Sequence, residues 1–303
     1  MAEGKIYYVD VANSLDSKKN KSKMHVVFDG ERCFKVKKLT ELRDAEEIYI
    51  DVLFSSIYSE IYELLKNGVK IFLLKNTRVL KEKRVENNLK KSDENDALTI
   101  SKIPKEFFRE VMMWEIEVKI EMNPLISRYE RLGKRIQVLK QWLRDTPEYC
   151  DIKKVIRDYE KEKRRIGEEI CRKINENTPI YRKILQIIGL NDSVELAISL
   201  TFIDLSHSKS EIWSYCKHNF RVNKHLSLLA SSIYFNLKKG KCKKISEKYR
   251  RLIELVKSKK MCRRQIITRI KTQIIKDMRQ AYLLSNRPQA TTTISVRPTG
   301  HEL

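Results

Sequence analysis

At 303 residues, 41% hydrophobic and 34% charged, the chain is long enough for about two domains with cores of their own. Its net charge of +23 is unevenly placed: residues 178–303 carry 25 lysines and arginines against 8 acids, residues 1–105 carry 21 against 17, and residues 106–177 carry 17 against 15. No run nears the roughly 18 apolar residues of a membrane span, no signal-peptide pattern opens the chain, and Cys33, Cys150, Cys171, Cys216, Cys242 and Cys262 form no C-x-x-C pair, which together exclude a spanning protein and a structural zinc site and predict a soluble, cytoplasmic one.

In chain order, Lys5 to Ala12 reads as a first strand and Lys23 to Asp29 as a second, joined by the polar loop Asn13 to Lys21. Arg32 to Leu39 makes a third, with Gly30 in the turn, so an antiparallel meander is expected with Asp10 on its first strand. Ile48 to Leu53 is the next strand and holds Asp51. Ser55 to Asn67 spaces Ile57, Ile61, Leu64 and Leu65 as a helix ended by Gly68, and Val69 to Leu74 is a fifth, fully apolar strand. Strand, helix and strand after a meander predict an α/β layer, in which ligands gather at the carboxyl ends of strands. Thr77 to Leu89 is basic and reads as helical or mobile. Ser92 then caps a helix that places Asp93 and Asp96 on one face, and Pro104 closes the domain at residue 105.

Residues 106–177 change character. Ile126, Tyr129, Leu132, Ile136, Leu139 and Leu143 recur in steps of three and four, and after Asp145-Thr146-Pro147 the pattern resumes at Ile152, Val155, Tyr159, Ile166, Ile170 and Ile174. Such steps predict an antiparallel coiled-coil hairpin, serving as a stalk or as an oligomerisation element, with Asn123-Pro124 kinking or breaking its first helix.

Residues 178–284 read as an all-α basic domain. Ile184 to Asp192 followed by Val194 to Leu200 has the outline of a helix, a Gly189 turn and a helix, in which turn amides approach a phosphate. Helically spaced apolar residues underlie the basic clusters of residues 217–279, so folded helices with a polyanion-binding face are expected. The residues expected to touch nucleic acid are Lys217, Arg221, Lys224, Lys243, Lys244, Arg250, Arg251, Lys259, Lys260, Arg263 and Arg264. Anionic lipid is the competing polyanion, but these helices lack an aromatic anchoring face. Residues 285–303, with Pro288, a Thr-Thr-Thr run and Pro298, are expected to be a disordered tail.

Four acids carry the chemical expectation. Asp10 and Asp51 each interrupt an apolar run, where a bare carboxylate costs several kcal/mol unless partnered, and Asp93 and Asp96 repel each other unless a cation lies between them. Each feature alone is ordinary, an edge-strand acid or a helix-dipole acid. Two strand acids followed by a helical acid pair describe a carboxylate site for two divalent cations of the ribonuclease H or RuvC kind.

The pieces Val9-Asp10-Val11, Ile50-Asp51-Val52 and Lys91-Ser92-Asp93-Glu94-Asn95-Asp96-Ala97, with 42 residues from Asp51 to Asp93, resemble the N-terminal domain of DEDD-type insertion-sequence transposases of the one-ten family, which includes the Piv-type invertases. In that family the second acid is usually Glu, where this chain has Asp51. The resemblance implies a RuvC-like mixed sheet in residues 1–105, a Mg²⁺ (or Mn²⁺) site on Asp10, Asp51, Asp93 and Asp96, and DNA strand cutting and joining. It also implies assembly into a homo-oligomer through the coiled coil, a guide RNA and a C-terminal serine nucleophile. The interval Cys216 to Val222 that would carry the nucleophile has no serine or glycine, and Ser214 and Ser227 flank it. A junction-resolving nuclease and a non-catalytic transposon-derived nucleic-acid-binding protein are the alternatives.

Overall fold

The computed structural model describes residues 4–12, 24–147, 150–240, 244–258 and 261–285, and divides into two compact units, residues 1–166 and 167–303. The first unit holds β1 (Lys5–Asp10), β2 (His25–Phe28), β3 (Cys33–Val36) and β4 (Ala45–Ile50), then α1 (Tyr58–Lys66), β5 (Lys70–Leu74), α2 (Thr77–Glu86) and α3 (Asp93–Ser101). The last strand, β6 (Phe108–Glu110), precedes α4 (Met113–Asp145) and α5 (Cys150–Asn177).

The six strands among the described residues form one mixed sheet in the order β3-β2-β1-β4-β5-β6. The meander β1-β2-β3 is antiparallel, as expected; β1, β4 and β5 run parallel, and β6 returns antiparallel on the far edge. The sheet therefore continues past Pro104. Phe108-Arg109-Glu110 is too short to show an alternating pattern, and it becomes a strand by pairing Leu74 with Phe108 and Phe72 with Glu110.

Strand alternation sorts the core into two faces. Tyr7, Val9, Ile48, Ile50 and Ile71 pack with Ile57, Ile61 and Leu64 of the α1 region and Ile116 of α4. On the opposite face Tyr49 joins Leu74, Leu80 of α2, Ile100 of α3 and Phe108, and stacks between Tyr8 and Phe72 at centroid distances of 5.3 and 4.9 Å. Full burial of each such side chain contributes about 1.5–3 kcal/mol.

α4 runs unbroken through Asn123-Pro124. The proline removes one helical hydrogen bond, but Met122 and Ile126 on either side are both fully buried, and their packing holds the helix together. Arg128 pairs with Glu162 at 2.7 Å and Lys140 with Glu160 at 2.6 Å, so ion pairs join the two long helices.

The second unit is helical: α6 (Ile180–Ile188), α7 (Val194–Phe202), α8 (Lys209–His218), α9 (Phe220–Lys238), α10 (Glu247–Ser258) and α11 (Arg263–Ser285). α11 is its axis and packs against α6, α8, α9 and α10 through Ile266, Ile270, Ile274 and Met278. Asp277 is fully buried on this helix and joins Tyr249 Oη and Lys248 Nζ, each at 2.6 Å, to Gln273 Nε2 at 2.9 Å. Among the described residues no helix is long and apolar enough to cross a membrane. The tail after residue 285 lies outside the described residues.

Gly189 ends α6 in the left-handed region at φ +85°. A Cβ there would stand 2.0 Å from the carbonyl oxygen of Lys244, and the chain passes so close that Ser246 N–H donates to the Ile188 carbonyl at 2.9 Å. The amides of Gly189 and Leu190 both donate to the Leu185 carbonyl. The turn expected to offer its amides to a phosphate thus spends them on capping α6, and the glycine serves a close backbone approach.

Candidate functional site

β1 and β4 are parallel neighbours, and Val9 pairs with Ile50. Asp10, the last residue of β1, and Asp51, the first beyond β4, therefore lie side by side at the carboxyl ends of the two central strands. Asp51 is not in a strand as expected but one residue past it. There its Oδ1 accepts the Val11 amide at 3.2 Å, a cross-strand bond that ties the two strand ends together.

α3 delivers the third acid. Ser92 caps it, accepting from the Asn95 amide at 3.1 Å, and three acids fill its first turn, where the helix dipole favours negative charge. The helix packs over β1 and β2, which turns Asp96 inward, 8% exposed, while Asp93 one turn earlier is exposed. The expected pair is therefore split between an inward and an outward acid.

Electrostatics tie Asp51 to Asp96. Desolvation pushes the Asp51 carboxyl up to about 6 and the charge of Asp96 adds to the rise, while the amides of Val11, Asp51 and Val52 oppose it. Asp96 itself is ion-paired with Arg84, which reaches over from the last turns of α2; the two side chains are 13% and 12% exposed for Arg84 and Asp96 respectively. Nothing in the sequence pointed to Arg84, because one arginine in a basic helix carries no sign of which way it faces. His25 was also missed: it is buried on β2, its Nδ1 accepts the Ala12 amide at 3.1 Å, and burial pushes its pKa below the usual histidine range.

The donor set is all oxygen and suits a hard divalent cation in kind. The arrangement is one in which Arg84 supplies the positive charge: among the described residues no three His, Cys, Asp or Glu side chains are grouped to hold a metal ion.

In the second unit, Lys217, Lys244, Arg251, Arg263 and Arg264 are exposed, as a nucleic-acid-binding face requires. Arg221, Lys224 and Arg250 are half-buried, and the Arg221 guanidinium lies 5.4 Å from the ring of Phe202, so helix packing uses part of each side chain. Lys243, Lys259 and Lys260 lie outside the described residues. Ser214 sits on α8, and Ser227 sits on α9 with its Oγ donating to the Asn223 carbonyl at 2.6 Å.

No protein-family model matches the chain, and no curated protein matches it.

Proposed function

We propose that the chain is a DNA recombinase of the DEDD transposase type, with a RuvC-like carboxylate site in its first unit and a nucleic-acid-holding helical unit after it. One observation carries the reading: Asp10 and Asp51 end the two central parallel strands side by side, and α3 brings Asp96 into the electrostatic reach of Asp51 on the same end of the sheet. The sheet order, with an antiparallel meander leading into parallel β4 and β5, supports the same reading.

With the Arg84–Asp96 pair released, Asp10, Asp51 and Asp96 would be the residues to hold Mg²⁺ or Mn²⁺, with Asp93 at the open rim. A bound ion would polarise the scissile phosphate and stabilise the attacking and leaving oxygens. The chain's own residues do the rest: the Val11 amide fixes the Asp51 carboxylate, Arg84 neutralises Asp96 until an ion replaces it, and the basic helices hold the phosphate backbone of DNA or of a guide RNA. Val138, Trp142 and Val155, exposed toward the loop end of α4 and α5, support self-association through the helical hairpin.

The Arg84–Asp96 pair favours a second reading, a transposon-derived protein that binds nucleic acid without cutting it. Incubating the full chain with end-labelled DNA and Mg²⁺ or Mn²⁺ separates them. Metal-dependent cleavage that disappears in Asp10→Ala and Asp51→Asn, with DNA binding retained, supports the recombinase. Binding without cleavage supports the second reading, and a chain that does neither refutes both.

A further inference from the structure

α9 and α11 enclose a cleft of about 610 Å³, and a second hollow of about 340 Å³ adjoins it along α9. Asn223 and Ser227 line both, so the two form one groove. Among the described residues no carboxylate lines either part. At one end stand Arg263 and Arg264; toward the other stand Lys271, bonded to Asn223, and Phe220, one turn before Asn223 and 82% exposed.

The groove offers contacts for two different parts of one ligand. Lys271 reaches up from the α11 axis, hydrogen-bonded to Asn223 Oδ1 and 3.4 Å from Ser227 Oγ, and lies 5.4 Å from the ring of Trp213. These partners are neutral, so they orient the ammonium without cancelling its charge, and burial moves its pKa below the usual lysine range. An anion entering the groove would relieve that cost. Arg263 lies 4.5 Å from the Phe235 ring, a contact that holds its guanidinium in place and leaves N–H groups for a second anion contact. Phe220, three residues before Asn223 on α9, stands about 4.5 Å along the helix axis from the residue that holds Lys271. A ring this exposed offers its face to an unpaired base, whereas the faces of bases in a duplex are already stacked on each other.

We infer that this groove binds single-stranded nucleic acid, with an unpaired base stacked on Phe220 and the neighbouring phosphates held by Lys271, Arg263 and Arg264. The inference rests on the proposed nucleic-acid-binding role of the second unit and adds strand state to it: positive charge alone does not discriminate, and the ring does.

The test is fluorescence anisotropy of the full chain with a labelled single-stranded DNA, its RNA counterpart and the same sequence as duplex, over a salt series. Phe220→Ala should weaken single-strand binding roughly 5- to 100-fold and leave duplex binding unchanged, since stacking contributes to unpaired bases alone. Because Phe220 is exposed, its loss does not endanger the fold. Lys271→Met, checked for native helix content, should weaken single-strand binding and flatten its salt dependence. A preference for the DNA or the RNA single strand names the source of the strand. Unchanged single-strand affinity in Phe220→Ala, or equal affinity of wild type for duplex and single strand, overturns the groove while leaving duplex binding by the basic helices intact. A chain that binds none of the three probes overturns the groove together with the reading it rests on.

Discussion

Arg84→Met is the most informative single change in the first unit. It removes the guanidinium that balances Asp96 while keeping much of the apolar side chain, and it leaves a carboxylate that is 12% exposed, with Asp51 as its neighbour. Breaking a buried pair in this way costs about 3–5 kcal/mol. The N-terminal dipole of α3 acts on Asp96 with or without Arg84 and keeps the cost at the lower end of that range. A net loss of about 3 kcal/mol lowers the melting temperature of a unit of 166 residues by roughly 6–12 °C. If the acids accept a cation, Mg²⁺ takes the place of the guanidinium. The variant should then recover most of its loss in saturating MgCl₂ and bind Mg²⁺ about a hundredfold more tightly than wild type, which must first give up its own ion pair. Differential scanning calorimetry in MgCl₂ and in NaCl of matched ionic strength reads this without any assay of cleavage. If MgCl₂ raised the variant's melting temperature no more than NaCl did, the carboxylates would not be a cation site. If the variant melted like wild type, the pair would have no structural weight.

Asp51 gives a pH signature of definite sign. Its carboxyl is raised in the folded chain to about 6, so the fold prefers the neutral form; the stability this contributes is present below the unfolded value near pH 4 and is lost as pH rises through about 6, a difference of about 2–3 kcal/mol. In metal-free buffer Asp51→Asn should remove that decline, and urea unfolding curves of wild type and variant that stay parallel from pH 4 to 7 would count against it. Asp277→Ala should destabilise the second unit by about 3 kcal/mol, because Tyr249 Oη and Lys248 Nζ lose their shared buried acceptor; a chemical-denaturation midpoint within error of wild type would contradict this. Val138→Ser with Trp142→Ser should shift any oligomer toward monomer in light scattering without loss of helix content, and an unchanged mass would remove the hairpin tip from the interface.

Much of the architecture was legible in local patterns. The meander, the buried strands around Val9, Ile48 and Ile71, the Ser92 cap and the long helices past residue 113 all announce themselves through periodicity or cap chemistry, which depend on neighbours a few residues apart. The charge division also follows from composition alone, since residues 178–303 hold +17 of the net +23. What tertiary structure decided are the partners. Asp93 and Asp96 share a sequence pattern, and only the packing of α3 over β1 and β2 sends one inward and leaves the other in solvent. Arg84 lies on a different helix from Asp96, and His25 reaches Ala12 across β1 and β2; no local spacing encodes either contact. β6 exists because β5 offers it an edge, and Gly189 is required because the chain around Lys244 passes within van der Waals reach of it. The same holds for Phe220 and Arg263, which become two ends of one groove only when α9 and α11 pack together. Periodicity records which face of an element is buried, whereas a binding site is set by which buried faces meet, and that is a property of the fold.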